Sequence, residues 1–200
     1  MSRVDQRGVS LVELVVFIVV VGIAVVGVLA AMRLTTAASA DPMIQKQALA
    51  IAEALLEEVQ LQPFTYCDPD DANAGSAGGA AGCTGGAGGP SDESRLVAGA
   101  LGPETAQGEG RSSATFPFDN VSDYHGYDSS TAPGIRDING TAIPQLAGYR
   151  AQITVVQQGL GVIPVQEALL IRVTVDGPAG TNTQVVLDGY RVRYSPNSLP

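Results

Sequence analysis

The stretch RGVSLVELVVFIVVVGIAVVGVLAAM, residues 7–32, decides how the rest of the chain is read. Residues 14–32 carry no charge, yet Glu13 stands directly ahead of them. As a helix, residues 9–32 extend about 36 Å at about 1.5 Å per residue, enough to cross a hydrocarbon core of about 30 Å with some tilt. Arg3 and Arg7 precede the run, which holds the N-terminus on the cytoplasmic side and sends the remainder across the membrane. A carboxylate at the mouth of an apolar helix is costly and marks function by default.

Two plainer readings of this segment leave something over. A secretory signal peptide is suggested by Ala38-Ser39-Ala40, a small-residue triplet. The apolar run is longer than the usual core of about 7–15 residues, however, and Arg33 intervenes. An ordinary single-span anchor explains the length but gives Glu13 no role. A short basic leader, a glycine, and then an apolar helix with Glu at its fifth position uses every residue.

RGVSLVEL resembles the class III signal of type IV pilins and pseudopilins. The resemblance implies cleavage by prepilin peptidase between Gly8 and Val9, N-methylation of Val9, and Glu13 as mature residue five. The family commonly has Phe or Met where this chain has Val9. In the family that Glu attracts the N-terminal amine of a neighbouring subunit during assembly. The physics agrees: an unpaired carboxylate in a low-dielectric bundle is costly, and an ammonium partner relieves it. The partners implied are prepilin peptidase, other major and minor pilin subunits, and the inner-membrane assembly platform.

Beyond the membrane, apolar residues recur at Ile44, Ala48, Ile51, Ala52, Leu55, Leu56 and Val59, one face of a helix. Lys46, Glu53, Glu57 and Glu58 fall mostly on the other side. Asp41-Pro42 is a helix-start signal, so Pro42 either begins a new helix or kinks a continuous one; Pro63 ends it. The stretch KQALAIAEALLEEVQLQPF resembles the helix of minor subunits of the MshD and PilV kind and of the I-type minor pseudopilin, and FTYCDPDDANAG with the cysteine after it resembles the MshD-like proteins.

Cys67 and Cys83 bracket a segment in which 14 of the 19 residues 72–90 are Gly or Ala. This segment is expected to be a flexible loop tied at its base by a disulfide. A reactive thiol or a metal pair is the alternative, although the spacing fits no zinc site. Asp68, Asp70 and Asp71, with Asn73, offer oxygen ligands of the type calcium takes. Their spacing does not match an EF-hand loop, and DPDD reads as a solvated turn, the preferred reading. No metal and no cofactor is therefore expected.

Residues 91–147 are polar, Gly-rich and irregular. Phe116, Phe118, Tyr124 and Tyr127 are expected to pin them to the head, and His125 is a loop residue. No Gly-x-Ser-x-Gly, P-loop or His-Glu-x-x-His occurs, so the chain is not read as an enzyme.

The last third alternates with period two in three segments. Ala151, Ile153 and Val155 share a face, as do Leu169, Ile171, Val173 and Val175, and then Tyr190, Val192 and Tyr194. The parity changes across Asp188-Gly189, which predicts a bulge. Arg150, Arg172, Arg191 and Arg193 are placed on the opposite face, either as a solvated surface with cross-strand pairs or as a contact patch for acidic neighbours.

These readings make the chain α+β, with a long N-terminal helix, transmembrane in its first half, packed on a C-terminal antiparallel β-sheet, as in pilins. The expected division is leader 1–8, membrane or fibre-core half-helix 9–32, amphipathic half-helix 33–62, disulfide-tied loop and irregular region 63–146, and sheet 147–200. The net charge of −9 becomes −10 when a leader carrying Arg3, Asp5 and Arg7 is removed, which excludes nucleic acid as the main partner. The expected function is that of a minor pilin-like subunit assembled into, or initiating, a type IV pilus of the MSHA type. A type II secretion minor pseudopilin and a membrane-tethered periplasmic binding module are the alternatives. The expected location is the inner membrane, single-pass, with the head in the periplasm, and then the pilus surface.

Overall fold

The computed structural model describes residues 10–93, 101–104, 108–131 and 134–197. Gly8 and Val9 lie outside the described residues. Helix α1 spans Leu11–Leu61 with Pro42 inside it, so Pro42 does not begin a separate helix. The chain divides into two units, Met1–Met43 and Ile44–Pro200.

In the first unit, Leu11–Met32 is a helical segment with mean hydropathy 3.2 and no buried share. Its side chains are exposed all round: Leu11 at 79 % and Ile23 at 69 %, on different faces. A helix apolar on every side needs lipid or other apolar helices around it.

In the second unit the Ile44–Leu61 part of α1 is amphipathic. Ala48, Ile51, Ala52, Leu55 and Val59 are buried, with Ile44 and Leu56 packed against the same core. That face meets a sheet of order β1-β2-β3, formed by Arg150–Gln157, Ala168–Asp176 and Gln184–Val192. Both pairings are antiparallel. Alternation selects Ala151, Ile153, Val155, Leu169, Ile171, Val173 and Val175 for the core, while Gln152, Thr154, Arg172 and Thr174 look away.

The third strand corrects two expectations. Ile171 pairs with Gly189, Arg172 with Asp188 and Leu170 with Tyr190 in an unbroken register, so there is no bulge. The core-side residues of β3 are Val185, Leu187, Gly189 and Arg191; Tyr190 lies on the outer face with Val186. The parity of the apolar pattern changes because α1 crosses Gly189 closely. A Cβ there would lie 2.9 Å from Leu56 Cδ1 and 2.5 Å from Gln60 Nε2. Arg191, the next residue on that side, reaches the helix end and donates from Nε and Nη2 to the Gln62 carbonyl at 3.2 and 3.0 Å. A guanidinium on a terminal carbonyl is favoured by the helix dipole.

The arginines therefore do not form one face. Arg172 makes a cross-strand ion pair with Asp188 at 2.7 Å, and Arg150 pairs with Asp128. Arg193 is buried, with its guanidinium 3.9 Å from the Phe64 ring centroid and 4.5 Å from that of Tyr66. All four arginines are engaged within the chain, and Arg172 has the cross-strand pairing expected of a solvated sheet face.

The irregular region packs through Tyr124, which is fully buried, with Phe118 edge-on to it at 4.9 Å. Tyr127 joins the same core; Phe116 does not. Cys67 and Cys83 form a disulfide across a separation of 16 residues, worth about 3 kcal/mol in the chain-entropy account. The Gly/Ala segment between them is less featureless than its composition predicts. Ala74 and Ala77 are buried against the disulfide as a second small cluster.

Candidate functional site

Among the described residues two places carry chemistry, one in each unit. The first is the start of α1. Ser10 is followed by Glu13 with the spacing of a capping box, Ser-x-x-Glu. The Glu13 N–H donates to Ser10 Oγ at 3.2 Å, and the Leu14 N–H to the Ser10 carbonyl at 3.1 Å. Ser10 is thus the N-cap and Glu13 the third helical residue, where the helix dipole favours a carboxylate. Sequence reading assigned Glu13 only an intermolecular partner. The Ser10 signal was present three residues upstream and was missed.

The second place is a group of carboxylates on the loops of the head. DPDD is a turn whose Asp70 is exposed, whereas its first residue, Asp68, is buried at 3 % exposure. Asp68 Oδ1 accepts the Asp70 N–H at 2.7 Å. Asp71 turns elsewhere: its carboxylate accepts the Asn73 and Thr84 N–H groups, both at 2.8 Å, closing the disulfide loop. Of the three aspartates singled out from sequence, Asp68 and Asp70 come together, and with Asp119 rather than Asp71.

The larger part of the group was not anticipated. Carboxylate oxygens within 4.8 Å of one another define four overlapping triads: Asp68–Glu104–Glu109, Asp68–Asp70–Asp119, Glu93–Glu104–Asp123 and Glu109–Asp119–Asp123. Glu93 and Asp123 are buried at 4 % and 1 % exposure. Asp123 sits on the 3-10 turn Ser122–Tyr124, and its Oδ2 accepts the Asp119 and Asn120 N–H groups at 3.0 and 2.7 Å. Its other oxygen, Oδ1, is buried without a hydrogen-bond partner. Ser122 Oγ donates to Glu93, and the Glu104 N–H donates to Glu109 at 2.9 Å.

Burial is the main force on these groups, and neighbouring carboxylates reinforce it. Burial and Asp123 push Glu93 up to about 7. Burial and Glu93 push Glu104 up to about 8, and burial and Glu104 take Glu109 to about 8. Burial raises Asp119 to about 7 and Asp123 to about 9, the backbone N–H groups opposing the rise in Asp123. These residues lie far apart in sequence and in no recognisable spacing, so no linear signal marks them. The disulfide and the Glu93 N–H bond to the Tyr66 carbonyl, at 2.9 Å, help to gather them.

His125 accepts the Val155 N–H through Nδ1 at 3.2 Å, a structural use of the ring. A cavity of about 360 Å³ beside α1 has apolar walls from Ile51, Leu55, Ile135 and Ile143. Glu58 and Arg111 at its edge are already paired with each other.

With this geometry in view, the comparisons with known proteins bear on the first place. The model of the prokaryotic N-terminal methylation motif matches residues 3–29. The match includes Gly8, Val9, Ser10 and Glu13 and most of the apolar segment. No curated protein and no solved structure matches the chain. The motif supports a type IV pilin-like protein, a pilin or pseudopilin substrate of prepilin peptidase. The same motif, heading an apolar helix, supports membrane anchoring and a structural, non-enzymatic subunit.

Proposed function

We propose that this chain is a minor pilin-like subunit of the MshD or PilV kind, assembled into, or initiating, a type IV pilus of the MSHA type. Prepilin peptidase cuts between Gly8 and Val9, and Val9 is then N-methylated. The subunit waits in the inner membrane with its head in the periplasm, until the assembly platform and neighbouring pilins receive it. The observation that carries this reading is the methylation motif over residues 3–29, at the head of an all-round apolar helix.

Chemistry supports each step. A fibre core of apolar helices replaces lipid around residues 11–32 with protein, at little cost in apolar burial. Cleavage would leave an ammonium on Val9, four positions before Glu13 in sequence. A cation ahead of a helix opposes the helix dipole, and an anion relieves it. In an assembled bundle the Glu13 carboxylate serves a neighbouring subunit's amine, which selects the axial register.

The test is the mass of the mature N-terminus. The chain, co-expressed with a prepilin peptidase, should begin at Val9 and carry one methyl group. An intact leader removes the pilin reading. Cross-linking in pilus-bearing cells should then recover pilin neighbours; recovery of secretion-system pseudopilins would move the chain to the type II system.

A further inference from the structure

The carboxylate group on the head loops has the geometry of a cation site. Oxygens that share one calcium ion at about 2.4 Å lie no more than about 4.8 Å apart. The triads meet that limit with carboxylates from four separate stretches, around residues 68, 93, 104–109 and 119–123. A second observation points into the group. Asp123 is 1 % exposed, its Oδ2 is held by two backbone N–H groups, and its Oδ1 has no hydrogen-bond partner. A closed network of protonated carboxyls would use that oxygen as an acceptor. Asp123 also belongs to two of the triads, so its unpartnered oxygen belongs to a carboxylate at their junction.

We propose that this group is a calcium site at Asp123, whose Oδ1 ligates the ion beside the other members of its two triads, Glu93 and Glu104 on one side and Glu109 and Asp119 on the other. The donor chemistry selects the ion. Every member of the triads is a carboxylate, and neither sulfur nor imidazole is among them. Zinc favours sites that include nitrogen or sulfur donors over sets made of carboxylates alone. Magnesium keeps several waters and takes one or two carboxylates in strict octahedral geometry, whereas calcium accepts six to eight oxygens in irregular arrangements. Among the described residues, Arg111 is paired with Glu58, Arg150 with Asp128 and Arg172 with Asp188. The ion would join four separate stretches of loop and act as a second staple beside the Cys67–Cys83 disulfide. This inference does not depend on whether the chain polymerises.

The test uses the full chain in detergent micelles, stripped with EDTA and then titrated with calcium chloride by calorimetry. Saturable heat at or below millimolar calcium, with a melting temperature raised by about 5 °C at saturation, is the expected result. Magnesium chloride at the same concentration should give neither. Asp123→Asn keeps an oxygen for the Asp119 and Asn120 N–H groups, so it should fold and lose calcium affinity at least about tenfold. Should Asp123→Asn fail to fold, the half-exposed Glu109→Gln serves with the same expectation. A folded wild-type chain with no calcium response overturns the proposal. So does an equal response to magnesium, or a folded Asp123→Asn or Glu109→Gln variant with unchanged affinity.

Discussion

Arg111 grips Glu58 with two parallel hydrogen bonds, Nη2 to Oε2 at 2.6 Å and Nε to Oε1 at 2.7 Å, joining the irregular region to α1 across 53 residues. Glu58 also accepts from the Tyr124 hydroxyl at 2.9 Å, and Arg111 Nη1 donates to the Arg136 and Asp137 carbonyls. The side chains are 8 % and 20 % exposed, so water screens the pair poorly. Glu58→Gln removes the charge while keeping the shape, and leaves a mostly buried guanidinium without its counter-ion. The head should lose about 3 kcal/mol, seen as a melting temperature lower by about 5–10 °C. An unchanged melt would mean the pair contributes nothing.

Gly189 sits where α1 lies closest to the sheet. The Leu56 and Gln60 atoms that a Cβ would meet are ends of flexible side chains, not backbone. Gly189→Ala should therefore fold with a loss of about 1 kcal/mol, and Gly189→Val should lose about 3 kcal/mol by forcing the helix outward. Denaturant unfolding of the two variants measures the difference. Equal stability of wild type and Gly189→Val would contradict the close crossing.

Glu13 has a local role at the helix start and a proposed intermolecular one, and one substitution separates them. Glu13→Gln retains a capping-box residue but carries no charge. The variant should keep wild-type helix content and cleavage, yet enter fibres at least about tenfold less, as lost ammonium pairing predicts. Counting the subunit in sheared fibres by immunoblot checks this. Normal incorporation would leave Glu13 with the capping role alone.

The buried carboxylates make stability depend on pH in a direction opposite to that of ordinary salt-bridged acids. Burial holds Glu93, Glu104, Glu109, Asp119 and Asp123 up to between about 7 and about 9 in the folded head. In the unfolded chain such groups ionise near 4. The folded state thus binds more protons between these values, and its stability falls as pH rises. Asp128, held low by Arg150, and Asp188, held low by Arg172, act in the other sense and only below about pH 4. In EDTA the melting temperature at pH 5 should exceed that at pH 9 by on the order of 5 °C. The reverse order would show that these groups are not buried together.

The anchor, the amphipathic face of the helix and the strands were legible in the sequence, because each is a local pattern. Residues 14–32 carry no charged or polar side chain, and a helix of that composition has one class of environment open to it. Ala48, Ile51, Ala52, Leu55 and Val59 recur with helical period, and residues 151–155 and 169–175 with strand period. Period alone determines which side chains share a face. Parity failed at Gly189, where the helix approaches the sheet; that approach is a contact between residues more than a hundred positions apart.

What the sequence determined by itself was the signal at Gly8, Val9 and Glu13 and the alternation that makes the elements, since both depend only on neighbouring residues. Tertiary structure decided the pairings that neighbours do not control: Arg191 on the helix end, Arg111 on Glu58, and Asp68 beside Asp119 and Glu109. Burial made the last of these chemically distinct. An aspartate in a turn is a solvated group until distant loops close over it, and only the folded chain brings Asp68 and Asp123 out of water into one carboxylate cluster.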